Sequence, residues 1–246
     1  MARYQLLIEY VGTDFRGWQI QKKGSTIQGL IQEKLTKLLK EKIILNGSGR
    51  TDTGVHAIQQ SAHFDCKSEI KDLIKFLKSI NHFLNDKGVA VTKIKKRSNK
   101  FHSRYSAKQR IYKYIIFNQI SEPVIEKNRG WHVRKPLDLE LIKKGAKKLI
   151  GTRDFSTFRA STCRAKSPIK TMKLVKIRSS KNRIEIEFRS QSFLQQQVRS
   201  MVGCLKYLGE KKWSLKKFEN IMRSKKRINC APPAPAEGLY LTRVIY

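Results

Sequence analysis

The sequence predicts an α+β fold made of two similar halves, and three observations lead to it. At 246 residues the chain is long enough to bury a core as one large domain or as two halves. Hydrophobic residues at 39% and charged residues at 29% are the proportions of an ordinary globular protein. Strand-like and helix-like periodicities alternate along the chain, and the alternation starts again after about residues 98–110. The expected halves are residues 1–104 and 105–246.

In the first half, residues 4–10 alternate as a strand, and a loop follows from Gly12 to Gly24. Ser25 with Gln28 three residues on has the form of a capping box. The helix it opens carries Ile27, Leu30, Ile31, Leu35 and Leu38 at helical spacing, with lysines on the outer face. Ile43-Ile44-Leu45 predicts a short strand entering the Gly-rich segment Asn46 to Gly54, and Ile58 to Phe64 a second strand. A helix with Ile70, Leu73, Ile74 and Leu77 on one face comes next, and the strand Val89 to Ile94 ends the half.

The second half repeats the theme. Ile111 to Phe117 has the β-branched and aromatic content of a strand. Asp138 to Ile150 predicts a helix ended by Gly151. Ile169 to Ile177 predicts a strand, paired with one in which Ile184, Ile186 and Phe188 alternate with glutamates. Leu194, Val198, Met201, Val202 and Leu205 mark the last long helix.

No apolar run approaches the roughly 20 residues that cross a bilayer, and the N-terminus reads as a strand rather than a signal peptide, so a cytoplasmic location is expected. Lys and Arg number 53 against 19 Asp and Glu, a formal charge of +34. A field of that size attracts polyanions, either nucleic acid or an acidic membrane surface. Lysine bias in the overall composition accounts for part of the excess, and charge alone does not choose between RNA and DNA. Cys66, Cys163, Cys204 and Cys230 are widely spaced and contain no C-x-x-C pair, so they are expected as reduced, buried or incidental thiols with no metal role.

The most informative stretch is Gly47-Ser48-Gly49-Arg50-Thr51-Asp52-Thr53-Gly54-Val55-His56-Ala57. Its glycines let the backbone turn tightly and approach a ligand, and Arg50 and Asp52 stand two residues apart in a loop between strands. By itself this pattern fits a Gly-rich hairpin with a surface Arg–Asp pair as well as a functional loop. It is not a phosphate-binding loop, since no Gly-Lys-Ser/Thr follows, and it lacks the regular oxygen ligands of a calcium loop.

The segment Gly49 to Ala57 resembles the catalytic signature of the tRNA pseudouridine synthase A family, and the resemblance extends over nearly the whole chain. Tyr10 with Gly17-Trp18-Gln19 resembles that family's N-terminal motif, and Phe101-His102-Ser103-Arg104-Tyr105-Ser106-Ala107 its Phe-His-Ala-Arg segment. Tyr112-Lys113-Tyr114, Asp154 to Phe158, and Ala234-Pro235-Ala236-Glu237-Gly238-Leu239-Tyr240-Leu241 complete the ordered set. The resemblance implies a pseudouridine synthase fold, its two halves joined through their sheets around a central basic cleft. It further implies a homodimer, tRNA as substrate with uridines of the anticodon stem-loop as targets, and no cofactor or metal.

Site roles follow from the same resemblance. Asp52 is the catalytic carboxylate, whether it attacks C1′, adds to uracil C6 or removes a ribose proton. Tyr112 stacks on the target uracil, although Tyr114 lies on the same face by strand period. Arg104 holds the target nucleotide out of its stack, as chemistry on a paired base requires. Arg199 is the basic residue matched to the catalytic aspartate, and Arg50 is a second candidate for orienting loop or RNA. Gln195-Gln196-Gln197 stand where histidines often stand in the family, so no catalytic role transfers to them. His56 and His63 are expected to flank a strand, His102 and His132 to lie in loops, and all four to serve packing or RNA contact. The basic runs Lys93 to Arg97, Lys143-Lys144, Lys147-Lys148 and Lys225-Lys226-Arg227 are expected to face phosphate.

Two rivals remain at this level. A non-catalytic RNA-binding protein of the same fold is disfavoured by the joint presence of Asp52, Arg104, Tyr112 and Arg199. A hydrolase would call for a second carboxylate or metal ligands, and neither is visible.

Overall fold

The computed structural model describes residues 1–246, which form two compact units: residues 1–108 together with 240–246, and residues 109–239. The chain is α+β, with five α-helices and ten strands. The expected halves are 1–104 and 105–246. The last residues lie instead with the first unit, because they add a strand to its sheet.

In the first unit the strands are β1 (Ala2–Tyr10), β2 (Asn46–Gly47), β3 (His56–Cys66), β4 (Val89–Arg97) and β10 (Leu239–Ile245, from Tyr240 on part of this unit). Their order is β4-β1-β3-β10, with β2 pairing on β3. β1 is central and antiparallel to both neighbours, with Leu6 opposite Ala62 on one side and Ile94 on the other. Tyr4, Leu6, Ile8 and Tyr10 are all buried, as their period of two requires. β10 runs parallel to β3, with Tyr240 opposite His56 and Leu241 opposite Ala57. β4 is an edge strand, and its Lys93, Lys95, Lys96 and Arg97 discourage pairing with another chain.

Helix α1 (Ile27–Leu39) buries Ile27, Ile31 and Leu35, while its N-cap is Thr26 rather than Ser25. The Thr26 side chain accepts from the Gly29 N–H, and the Ser25 carbonyl is already taken by the Arg16 N–H. Nor does Gln28 reach back as a capping box would. Its amide accepts from Ile20 N–H and donates to the Leu45 carbonyl.

Those contacts also explain why Ile43 to Leu45 is not a strand. Their backbone groups bond to side chains of α1: Ile43 N–H to Thr36 Oγ1, Leu45 N–H to Gln32 Oε1, and Leu45 O from Gln28. Pairing with β3 begins only at Asn46. Helix α2 (Leu73–His82) starts at the Asp72 cap, so Ile70 precedes it. Ile74 is exposed, and the inward face is formed by Leu73, Phe76, Leu77 and the fully buried Ile80.

The second unit contains β5 (Gln109–Phe117), β6 (Trp131–His132), β7 (Gly151–Asp154), β8 (Ile169–Ser180) and β9 (Arg183–Ser190). The order β5-β9-β8-β7 is antiparallel throughout, and β6 runs parallel to β5. Ile184, Ile186 and Phe188 are buried while the glutamates between them are less so. The helices are α3 (Leu139–Leu149), α4 (Gln197–Gly209) and α5 (Leu215–Ser224). Asp138 caps α3 by accepting from Leu141 N–H. α4 is buried almost all round, from Val198 to Leu208. α5 is absent from the expected elements; its Lys-rich sequence conceals Phe218 and Ile221, the two residues it buries.

Candidate active site

In the first unit the site is a loop made rigid from several directions. Residues 48–55 leave β2 and enter β3, and the Asp52 carbonyl accepts from Val55 N–H to close a turn in which Gly54 has φ +78°. Ser48 N–H donates to Ser61 O, Ser48 Oγ to Gln60 Oε1, and Gln60 Nε2 to Gly49 O at 2.9 Å. Thr51 is buried, with its hydroxyl 2.8 Å from the Tyr10 hydroxyl and its carbonyl accepting from Trp18 N–H at 3.1 Å.

The loop at residues 12–18 presses directly on this backbone. A Cβ at Gly12 would fall 2.1 Å from the Val55 carbonyl oxygen. At Gly17, which has φ +81°, it would fall 2.6 Å from Thr51 O. Only glycine permits that approach and that conformation. His56 helps to seat the same loop, its Nδ1 accepting from Gly12 N–H at 3.0 Å. Asp52 is therefore a half-exposed carboxylate between anchored neighbours, and exposed Arg50 stands two residues before it, its Nε donating to Gln19 Oε1 at 3.2 Å. A carboxylate held this way can act as a nucleophile, a base or a stabiliser of developing positive charge without first reorganising.

Arg104 sits on a second braced loop of the same unit. Ser103 is fully buried; its hydroxyl donates to Asn46 O at 2.6 Å, and its N–H donates to His63 Nδ1 at 3.2 Å. The C-terminal Tyr246 hydroxyl bonds to Ser103 O and Ser61 Oγ, and Arg3 Nη1 donates to the carbonyls of Asn99 and Phe101. His63 is neutral at physiological pH: burial first, then the neighbouring charges of His102 and Arg3, lowers its pKa to about 4. Above this brace Arg104 and Tyr105 are exposed together, the guanidinium 5.8 Å from the Tyr105 ring centroid. Sequence pattern does not single out Gln60 or Tyr246, because each acts through partners distant in the chain.

In the second unit Tyr112 and Tyr114 share a face of β5 but differ in environment. The Tyr114 hydroxyl donates to Pro235 O at 2.8 Å, and burial holds its ionisation well above the usual tyrosine range. Tyr112 is 8% exposed, opposite Phe188 in β9 and edge-on to Phe193 at 5.1 Å. Arg199 lies in the first turn of α4. Its Nε donates to Ala234 O at 2.7 Å, and Ala234 N–H returns a bond to the Arg199 carbonyl at 3.0 Å.

Other expected features separate. His56 and His63 both lie within β3 and are buried, and His132 belongs to β6 rather than to a loop. Lys96, Lys143, Lys148 and Lys225 form ion pairs with Glu69, Glu140, Glu219 and Asp154, so those basic runs are partly neutralised. No group of three or more His, Cys, Asp or Glu side chains is placed to hold a metal ion. No helix is long and apolar enough to cross a membrane. Cys204 and Cys230, far apart in sequence, bring their sulfurs within 3.4 Å.

A family model described as tRNA pseudouridine synthase matches residues 6–106 and again residues 146–246. The tRNA pseudouridine synthase A of Pelagibacter ubique is 73% identical over 246 residues, covering all of both chains. That of Paramagnetospirillum magneticum is 42% identical over 247 residues, covering all of this chain and 96% of its own. That of Parvibaculum lavamentivorans is 38% identical over 247 residues, covering all of both.

Proposed function

Because the chain belongs to the tRNA pseudouridine synthase family, we propose that it isomerises uridine in the anticodon arm of tRNA with Asp52 as its catalytic carboxylate. The reaction class is that of the family: uridine in tRNA becomes pseudouridine. The C1′–N1 bond breaks, the base turns, and C1′ joins C5. Atoms and electrons are conserved, so the chemistry calls for no redox cofactor and no second substrate.

One observation carries the assignment of Asp52. The backbone on either side of this residue is anchored by Thr51, Gly17, Trp18 and Val55, and that loop coincides with the most specific motif of the family resemblance. A carboxylate so placed can bond covalently to the nucleotide or take a proton from the ribose. Arg104 and Arg50 bind the extruded nucleotide and its phosphates, Tyr112 packs against the target base, and Arg199 serves as the matched basic residue. The exposed Arg104–Tyr105 pair supports RNA contact, since a guanidinium and an aromatic face together suit an unstacked base and its phosphate. The working unit is a homodimer, as the resemblance implies, acting on cytoplasmic tRNA, as the N-terminal strand and the lack of a long apolar run suggest.

The test incubates purified protein with unmodified tRNA and a chelator, then maps pseudouridine by carbodiimide-dependent stops of reverse transcription. Stops in the anticodon arm that vanish in Asp52→Asn support the whole proposal. Stops elsewhere retain the chemistry and overturn the target. Tight tRNA binding without any stop moves the protein to the RNA-binding alternative.

A further inference from the structure

We propose that Cys204 and Cys230 form a peroxide-responsive dithiol, a modification site that closes into an intramolecular disulfide. The two sulfurs lie 3.4 Å apart, although the residues are 26 positions apart in the chain. Cys204 is fully buried in α4, whereas Cys230 is partly exposed, following the short 3-10 turn Arg227–Asn229.

Packing on both sides fixes this juxtaposition. Residues 230–234 run back along α4, meeting it at three successive points: Cys230 at Cys204, Pro232 at Gly203, and Ala234 at Arg199. The approach at Gly203 is so close that a Cβ there would lie 2.1 Å from Pro232 O. Forming the bond shortens the sulfur separation from 3.4 Å to about 2.05 Å. Rotation of the half-exposed Cys230 side chain supplies that movement.

The surroundings also assign the order of events. The contact with Cys204 and the neighbouring Arg227 guanidinium outweigh burial and lower the Cys230 pKa, while the same contact and burial raise that of Cys204. Arg227 Nη1 is itself buried with no hydrogen-bond acceptor, a donor that a thiolate would satisfy. Cys230 is thus the reactive, accessible sulfur, in the electropositive setting that thiolate chemistry needs.

Its thiolate attacks one oxygen of hydrogen peroxide; an S–O bond forms, the O–O bond breaks, and the departing hydroxide takes the proton that the Cys230 thiol had released and leaves as water. The Cys204 sulfur then attacks Cys230; the S–S bond forms, the S–O bond breaks, and the released hydroxide takes the Cys204 proton. Two thiols and one hydrogen peroxide give one disulfide and two waters, with two electrons passing from sulfur to oxygen. The bridge cross-links α4 to the segment that receives Arg199.

The experiment exposes the full chain to hydrogen peroxide, alkylates the remaining thiols, and reads intact mass and linked peptides. Expected are loss of the mass of two hydrogens, a Cys204–Cys230 linked peptide, Cys66 and Cys163 still alkylated, and a thermal midpoint raised by several degrees that dithiothreitol reverses. Cys230→Ser removes the mass loss, the linked peptide and the rise in midpoint, and because Cys230 is partly exposed the variant retains its fold. Four alkylatable thiols at a peroxide dose that oxidises free cysteine would overturn the proposal. Prior oxidation of Cys66 or Cys163, or a Cys230 that passes to sulfinic acid without a linked peptide, would overturn it equally. The mapping on the unaltered protein decides the question even if a variant fails to fold.

Discussion

The hydroxyl of Tyr246, the last residue of the chain, donates to the carbonyl of Ser103 at 2.8 Å and so anchors the segment that presents Arg104. It also bonds to Ser61 Oγ at 2.7 Å, joining that segment to β3. Tyr246→Phe removes both bonds and is expected to cost about 1–2 kcal/mol of stability. Steady-state kinetics should show KM for tRNA rising severalfold with kcat little changed. An unchanged KM would mean that Arg104 needs no brace.

Asp52→Asn keeps the shape of the loop and removes the charge. With Asp52 as the proposed reacting group, turnover should fall on the order of a thousand-fold or more, leaving only binding and positioning. Filter binding should find tRNA affinity within a few-fold of the parent, because phosphate contacts dominate it. Residual activity near the parent level would remove Asp52 from the chemistry.

Gly17→Ala tests the seating of that loop. The new methyl would meet Thr51 O at 2.6 Å from a residue at φ +81°, so a loss of about 1–3 kcal/mol is expected in chemical denaturation. Activity at a temperature where the variant is fully folded should fall too, because relief of the clash displaces the backbone next to Asp52.

Tyr112 and Tyr114 separate by what their removal disturbs. Tyr114→Phe leaves the partly buried Pro235 carbonyl without its donor, which should cost about 1–2 kcal/mol in thermal unfolding. Tyr112→Phe should lower turnover with a smaller change in stability. The opposite pattern would assign the site tyrosine to Tyr114.

His63 gives the stability a pH dependence with a definite sign. Its folded pKa, about 4, lies below the ordinary 6.5 of the unfolded chain, so between those values the unfolded state binds more protons. Stability is therefore full above about pH 6.5 and declines as pH falls toward 4, by at most about 3 kcal/mol from this residue. Urea denaturation at pH 7 and pH 5 should show the loss, and His63→Asn should flatten the difference between the two.

What the sequence determined by itself is whatever lies contiguous along the chain. The periodicities of β1, α1, α3 and β9 are local, set by which face meets the core, and they emerge at the expected places. The ordered motifs from Gly49 to Ala57 and Phe101 to Ala107 identify the family because a loop that must turn tightly and carry specific side chains leaves its chemistry in adjacent letters. Tertiary structure decided the rest, through partners that sequence order does not bring together. Ile43 to Leu45 has the composition of a strand, but glutamines and a threonine of α1 take its backbone bonds. The N-cap falls at Thr26 because Ser25 is already bonded to Arg16. Strand β10 joins the first unit from the far end of the chain, Tyr246 and His63 brace Arg104, and Cys230 meets Cys204 across 26 positions. A hydrogen bond or a packing contact depends on where two groups lie in space, and for groups distant in sequence only the folded chain sets that.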